Sequence, residues 1–153
     1  MRVIAIDPGV DTGWAYGTIE DGAVDIKRHG WDPWRAFCLR FYDRMQNFDQ
    51  EGCDVIVMED WRLTKRGPAT LLGSDLPSSQ ALGAIRLAYD LARRAGHRVQ
   101  LVTQMPATKN VVDGWMGGTG YLPSSDVDHN RDAVRHFWYY ALNPKNKTGV
   151  TRA

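Results

Sequence analysis

Three acidic features of this chain have the residue types and placement for chemistry. Asp7 ends the apolar run RVIAID and is followed at once by Pro8 and Gly9. Glu59 and Asp60 end a second apolar run, DVIVM. A carboxylate closing so apolar a segment risks burial without a partner, which is costly. The third feature is DHNRDAVRH, residues 128–136. On a helical wheel Val127, Val134, Phe137, Trp138 and Ala141 form an apolar stripe, and Asp128, His129, Asp132 and His136 share the neighbouring arc. His129 and Asp132 are three apart and can meet over one turn. Asp128 and Asp132, four apart, are a like-charge pair that Arg131, Arg135 or a metal ion would offset.

Each feature has a plain reading by itself. Asp-Pro-Gly forms ordinary turns, and Asp126 and Asp128 suit the first turn of a helix through its macrodipole. Together, two strand-end carboxylates and a helix-borne His/Asp pair make a donor set for divalent cations. Its oxygen-rich composition favours Mg²⁺ or Mn²⁺. Two such ions about 4 Å apart can activate water and stabilise the leaving oxygen of a phosphodiester.

The elements that must position these residues follow from periodicity. Arg2 to Asp7, Gly13 to Glu20 and the EDGAVDIKRHG stretch read as three strands, the last two joined by a turn at Asp21-Gly22. Phe37, Phe41, Met45 and Phe48 recur at helical spacing between Pro33 and Gln50. DVIVMED is a fourth strand, SSQALGAIRLAYDLARRAG a helix stopped by Gly96, and HRVQLVTQ a fifth strand. Pro106 opens a short helix to about Val112. A glycine-rich stretch, DGWMGGTGYLPSS, precedes the last helix, Asp126 to Leu142. On the long helix, Leu82, Ile85, Tyr89 and Ala92 form a stripe that is either core or a homodimer face. Arg93, Arg94 and Arg98 complement its dipole. In mixed sheets with helices on both faces, ligand sites lie beyond the carboxyl ends of parallel strands, where Asp7 and Glu59 fall.

Bulk properties set the frame. The 153 residues carry 19 Lys and Arg against 18 Asp and Glu, a formal net charge of +1, so any polyanion would be recognised by local rather than global charge. There is no internal repeat, no run of membrane-spanning length and no signal-peptide layout. Cys38 and Cys53 lack metal-ligand spacing, and a reduced, cytoplasmic setting is expected. The loop WRLTKRGPAT after Glu59-Asp60 offers Arg62, Lys65 and Arg66 to phosphates and Trp61 to stack on an unpaired base.

IAIDPGVDTGWAYG resembles the opening motif of the RuvC family of Holliday-junction resolvases, within the RNase H-like nuclease superfamily. VIVMED resembles that family's second acidic motif. SSQALGAIRLAYDLARRAGHRVQLVTQMPATKN is similar to its long helix, next strand and lysine-ending segment, and HNRDAVRH to its closing motif. The match runs in order from Met1 to about Leu142.

The resemblance implies an α/β fold: an RNase H-like mixed five-stranded sheet, antiparallel meander plus parallel strands, with helices on both faces. A single nuclease domain would span 1–142, followed by a polar tail at 143–153. Asp7, Glu59, His129 and Asp132 would form the active site around two Mg²⁺ (or Mn²⁺) ions. Asp7 would bridge the ions, Glu59 and Asp132 complete their shells, and His129 bind or orient the second ion or its water. Lys109 would stand near the scissile phosphate, and Asp60 and Asp128 beside the ligands. The implied activity is structure-selective hydrolysis of four-way DNA junctions to 5′-phosphate and 3′-hydroxyl ends. A homodimer in the cytoplasm would carry it out, without a nucleotide cofactor or membrane. So compact a chain suits a bacteriophage enzyme, which would act in the host cytoplasm.

The departure is VVDGWMGGTGYLPSS, where the family usually carries another basic helix. A less selective flap, fork or end nuclease is the nearest alternative. An actin-like ATPase or sugar kinase would need a second domain, for which this chain has no room. A catalytically silent DNA-binding protein would not need all four site residues.

Overall fold

The structure is a computed structural model that describes residues 1–47, 52–60 and 76–143. Strands β1 (Arg2–Asp7), β2 (Asp11–Glu20) and β3 (Ala23–Pro33) form the antiparallel meander. Asp21 and Gly22 join β2 to β3 with positive φ of 49° and 86°. Such backbone matches the twist of a two-residue hairpin and suits Asp-Gly. Helix α1 (Trp34–Gln46) follows, then β4 (Val55–Glu59), α2 (Pro77–Arg94), β5 (Gln100–Gln104), α3 (Thr108–Trp115) and α4 (Asp128–Leu142). The five-stranded sheet has the order β3-β2-β1-β4-β5, with β4 parallel to β1 and β5 parallel to β4. No helix among the described residues is long and apolar enough to cross a membrane.

Element ends differ from the sequence expectation for local reasons. Pro33 closes β3 rather than opening α1. Residues 97–99 do not pair in β5; instead the His97 amide bonds the Ala92 carbonyl and closes α2. The short helix α3 continues to Trp115, three residues beyond Val112. Helix α4 begins at Asp128, after Ser125 has bonded the backbone of Val127 in a local turn.

Strand parity divides the interior into two layers. Ile4, Ile6, Ile56 and Met58 face α1 and α2, packing on Phe37, Phe41, Met45, Leu82, Ile85, Ala88 and Ala92. Tyr89 packs partly buried on the same cluster, so the stripe on the long helix belongs to the core. Val3, Ala5, Val55 and Val57 face the other way, against Ala133, Val134, Phe137 and Tyr140 of α4. Full burial of a side chain such as Phe137 stabilises by about 1.5–3 kcal/mol. Side chains alternate along a strand, so Asp7 and Glu59 share the parity of Val3, Ala5, Val55 and Val57 and reach the α4 side. The parallel register sets Ile6 beside Met58, so the two carboxylates finish level.

Two glycines let α4 approach the β1–β2 turn. A Cβ on Gly9 would lie 2.5 Å from His129 Nε2, and one on Gly13 would overlap the backbone carbonyl of His129. Gly83, in the middle of α2, faces open space. Gly13→Ala is therefore expected to destabilise by about 1–3 kcal/mol through overpacking. Gly83→Ala should stabilise by roughly 0.5–1 kcal/mol through lower unfolded-chain entropy. Chemical denaturation of the two variants checks both signs.

Candidate active site

The carboxyl ends of three neighbouring parallel strands present Asp7, Glu59 and Gln104 on one face, with Glu59 paired to Gln104 in the β4–β5 register. All three are buried: Asp7 is 2% exposed, Glu59 6% and Gln104 5%. Helix α4 lies across them and contributes one side chain per turn. His129 Nδ1 is 2.6 Å from Asp7 Oδ2. Asp132 receives Lys109 Nζ at 2.6 Å and Arg135 Nη1 at 2.8 Å. His136 Nε2 lies 2.8 Å from Glu59 Oε2, and its Nδ1 2.8 Å from Gln104 Oε1.

Lys109, from α3, is the central cation, since its Nζ also lies 2.9 Å from Glu59 Oε2. The helix that carries it is fastened to α4. Arg135 donates from Nε to Asp113 Oδ1 at 2.9 Å and from Nη2 to Oδ2 at 3.0 Å. Tyr121 donates to the same carboxylate at 2.6 Å. The glycine-rich segment, with left-handed backbone at Gly117 and Gly118, thus folds back to place Tyr121 on α3.

Burial and pairing set the charges. Burial pushes the Asp7 carboxyl up, against the hydrogen bond from His129, which pulls it down; the Glu59 charge adds to the rise and Lys109 opposes it. Burial would also raise Glu59, but hydrogen bonds from His136 and Lys109, with the Lys109 charge, outweigh it and hold Glu59 at about 2. Burial disfavours charge on Lys109, yet the Asp7 charge and hydrogen bonds to Asp132 and Glu59 raise it, so it stays an ammonium. The hydrogen bond to Asp7 raises His129 above 6.5 despite partial burial.

The structure brings together Asp7, Glu59, His129, Asp132 and Lys109, the five residues singled out for catalysis. His129 and Asp132 do not bond each other: one turn of helix separates them onto Asp7 and Lys109. Asp60 does not border the site. One residue beyond Glu59, it faces the other side of the sheet, 3.7 Å from Arg86 of α2. Asp128 is exposed in the first turn of α4, in keeping with the macrodipole. Trp61, Arg62, Lys65 and Arg66 lie outside the described residues. Two participants were not assigned to the site from the sequence. His136 showed a signal, the arc it shares with His129 and Asp132. Gln104 had only its place at the end of a strand.

Asp7, Glu59 and His136 each offer a donor atom, all within 4.8 Å of one another. Carboxylate oxygens with an imidazole nitrogen suit a divalent cation. The Lys109 ammonium, drawn in among the carboxylates, is a stand-in for that positive charge, so the residues present fit a metal. A separate cavity of about 300 Å³ lies under α1, lined by Trp14, Tyr16, Arg28 and Phe41 among others. None of the clustered carboxylates borders it, so it is not this site.

The sheet order, its meander followed by two parallel strands and the helices on both faces define the RNase H-like fold of the Holliday junction resolvases. Among solved structures the chain is similar to T. thermophilus RuvC in complex with a Holliday junction substrate. The TM-score is 0.61, with 16% identity, over 92% of this chain and 93% of that one. The fowlpox virus Holliday junction resolvase matches at TM-score 0.57 and 12% identity, over 92% and 98%. The yeast mitochondrial Holliday junction resolvase Ydc2 matches at 0.55 and 11%, over 92% and 77%. No protein-family model and no curated protein matches the sequence.

The Asp7–His129 contact has a pH signature in the metal-free protein. His129 is raised above its ordinary 6.5, so its stabilising effect is complete below about pH 6.5 and lost as pH rises through the folded value. An NMR titration in the presence of chelator should place the His129 imidazole above 6.5. Asp7→Asn, which removes the carboxylate, should lower it.

Proposed function

We propose that this protein is a divalent-metal-dependent, structure-selective endonuclease that cleaves four-way DNA junctions. One observation carries the reading. On a fold shared with solved junction resolvases, the ends of β1 and β4 and one face of α4 bring Asp7, Glu59, His129 and Asp132 together around the Lys109 ammonium.

In this reading Asp7, Glu59, His129 and Asp132 would hold two Mg²⁺ or Mn²⁺ ions. Such ions activate a water and stabilise the leaving oxygen of a phosphodiester. The water oxygen bonds to phosphorus and the P–O3′ bond breaks. The 3′ oxygen leaves with a proton as a hydroxyl, and the phosphate stays on the 5′ end. The protein's own part is positional and electrostatic. Asp7 and Glu59 sit on buried strands that cannot shift without disturbing the core, which holds their oxygens within a narrow range. His129 carries a proton at Nδ1 toward Asp7. Lys109, charged at every working pH, supplies fixed positive charge where negative charge develops on the phosphate. Trp61, Arg62, Lys65 and Arg66, which follow Glu59 and Asp60 in the sequence, would meet the branched DNA. A homodimer would set two such sites on the two strands to be cut.

Cleavage of synthetic four-way, flap and linear duplex DNA with Mg²⁺ or Mn²⁺ tests the reading. Asp7→Asn should lower the junction cleavage rate by at least about 100-fold while junction binding persists, because one carboxylate is a small part of the DNA contact. Normal cleavage by this variant would refute the site. Linear duplex cut as fast as the junction would refute the selectivity.

Lys109 competes with any cation for Glu59 and Asp132. Lys109→Met is expected to slow cleavage by roughly 10²-fold through lost charge at the phosphate. The same substitution should tighten Mn²⁺ binding, read by calorimetry. Weaker Mn²⁺ binding would mean that Lys109 organises the carboxylates rather than substituting for the ion.

A further inference from the structure

One buried pair at the sheet edge, His136 and Gln104, has no task in the chemistry above. His136 is fully buried, two helical turns beyond His129, and it bridges the ends of β4 and β5. Its proton arrangement follows from the partners. The backbone carbonyl of His136 can only accept, so the Gln104 amide nitrogen, 3.3 Å away, must face it. That turns Gln104 Oε1 toward the ring, 2.8 Å from Nδ1. An amide oxygen also only accepts, so Nδ1 carries a proton and donates it.

The other ring nitrogen, Nε2, faces the carboxylates and donates to Glu59 Oε2 in the metal-free protein, a proton that a bound cation would displace. It is 2.8 Å from Glu59 Oε2 and, with an oxygen each from Glu59 and Asp7, completes three donor atoms within 4.8 Å. An imidazole whose Nδ1–H is held by an oxygen, with Nε2 aimed into an acidic cluster, is how proteins present a neutral histidine nitrogen to a cation. We propose that His136 Nε2 is a ligand of the divalent ion held by Asp7 and Glu59, and that Gln104 fixes the ring in the ligating tautomer. The proposal rests on the metal-dependent reading above. It also sets a preference: a nitrogen donor favours Mn²⁺ over Mg²⁺, which prefers oxygen.

The test uses the full chain and Mn²⁺ alone. His129→Asn removes the other imidazole of the site, at a side chain that is 40% exposed, so folding is expected to survive. Electron paramagnetic resonance counts bound Mn²⁺, and electron spin-echo envelope modulation detects a directly bonded nitrogen. The expected result is Mn²⁺ bound to His129→Asn protein with ¹⁴N coupling, replaced by ¹⁵N coupling when histidine alone is ¹⁵N-labelled. Bound Mn²⁺ without nitrogen coupling would overturn the proposal and leave the metal site standing, with His136 reduced to a positioning residue for Glu59. Absence of Mn²⁺ binding to the unmodified protein would overturn both. Gln104→Met, which retains His136, is expected to weaken Mn²⁺ binding by about 10- to 100-fold. Unchanged affinity would overturn the role given to Gln104.

Discussion

Three carboxylates drawn together at the carboxyl ends of the central parallel strands are the constraint on which the rest of this structure depends. Asp7 and Glu59 are almost wholly removed from water, and Asp132 is only partly exposed. Carboxylates so placed repel one another and lose hydration, and both costs fall only if positive charge and hydrogen-bond donors are brought to them. Every element around the site answers that need. Helix α4 brings two histidines and Arg135, and α3 brings Lys109. The Tyr121–Asp113–Arg135 contacts hold α3 and α4 together. The chain Asp113–Arg135–Asp132–Lys109–Glu59–His136 alternates acidic and basic groups without a break.

The scaffold makes that arrangement rigid by economical means. Odd-numbered positions of β1 and β4 build the core under α4, and the same parity, continued one step past the core, delivers Asp7 and Glu59 to the site. Helix α4 uses Val134, Phe137 and Tyr140 to dock on the sheet and intervening positions to reach the carboxylates. Gly9 and Gly13 clear the space for its first turn, so the motif that carries Asp7 also admits His129. A displacement of α4 would move His129, Asp132 and His136 together, which couples core packing directly to site geometry.

The positive charge inside the cluster comes from two different kinds of group. Lys109 occupies the middle of the cluster, where its ammonium meets both Glu59 and Asp132. His136 differs in kind, since it is immobile, fully buried and held at both ring nitrogens.

Much of this was legible in the sequence. The two apolar runs that stop on Asp7 and Glu59 marked buried strands ending in carboxylates, and the 3.6-residue pattern of residues 128–142 marked a helix with Val134 and Phe137 on its core face, which Ala133 and Tyr140 rather than Val127 and Ala141 complete. The periodicities that reveal these elements are local, so a linear reading reaches them. It also reached the two-layer arrangement of helices, through the order of strands and helices. What the linear reading did not reach was pairing across elements. His129 and Asp132, neighbours on one helix, serve different partners, because α4 crosses three strand ends and each turn meets a different one. Asp60, adjacent to Glu59, faces the opposite layer because strand parity reverses at each residue. The stripe on α2 proved to be core once α1 was seen beside it. His136 and Gln104 lie 32 residues apart in sequence, and only the lateral pairing of β5 with β4 under α4 brings them together. Sequence determined which groups are available; the tertiary structure decided which groups meet, because burial leaves each charge only the partners that packing places beside it.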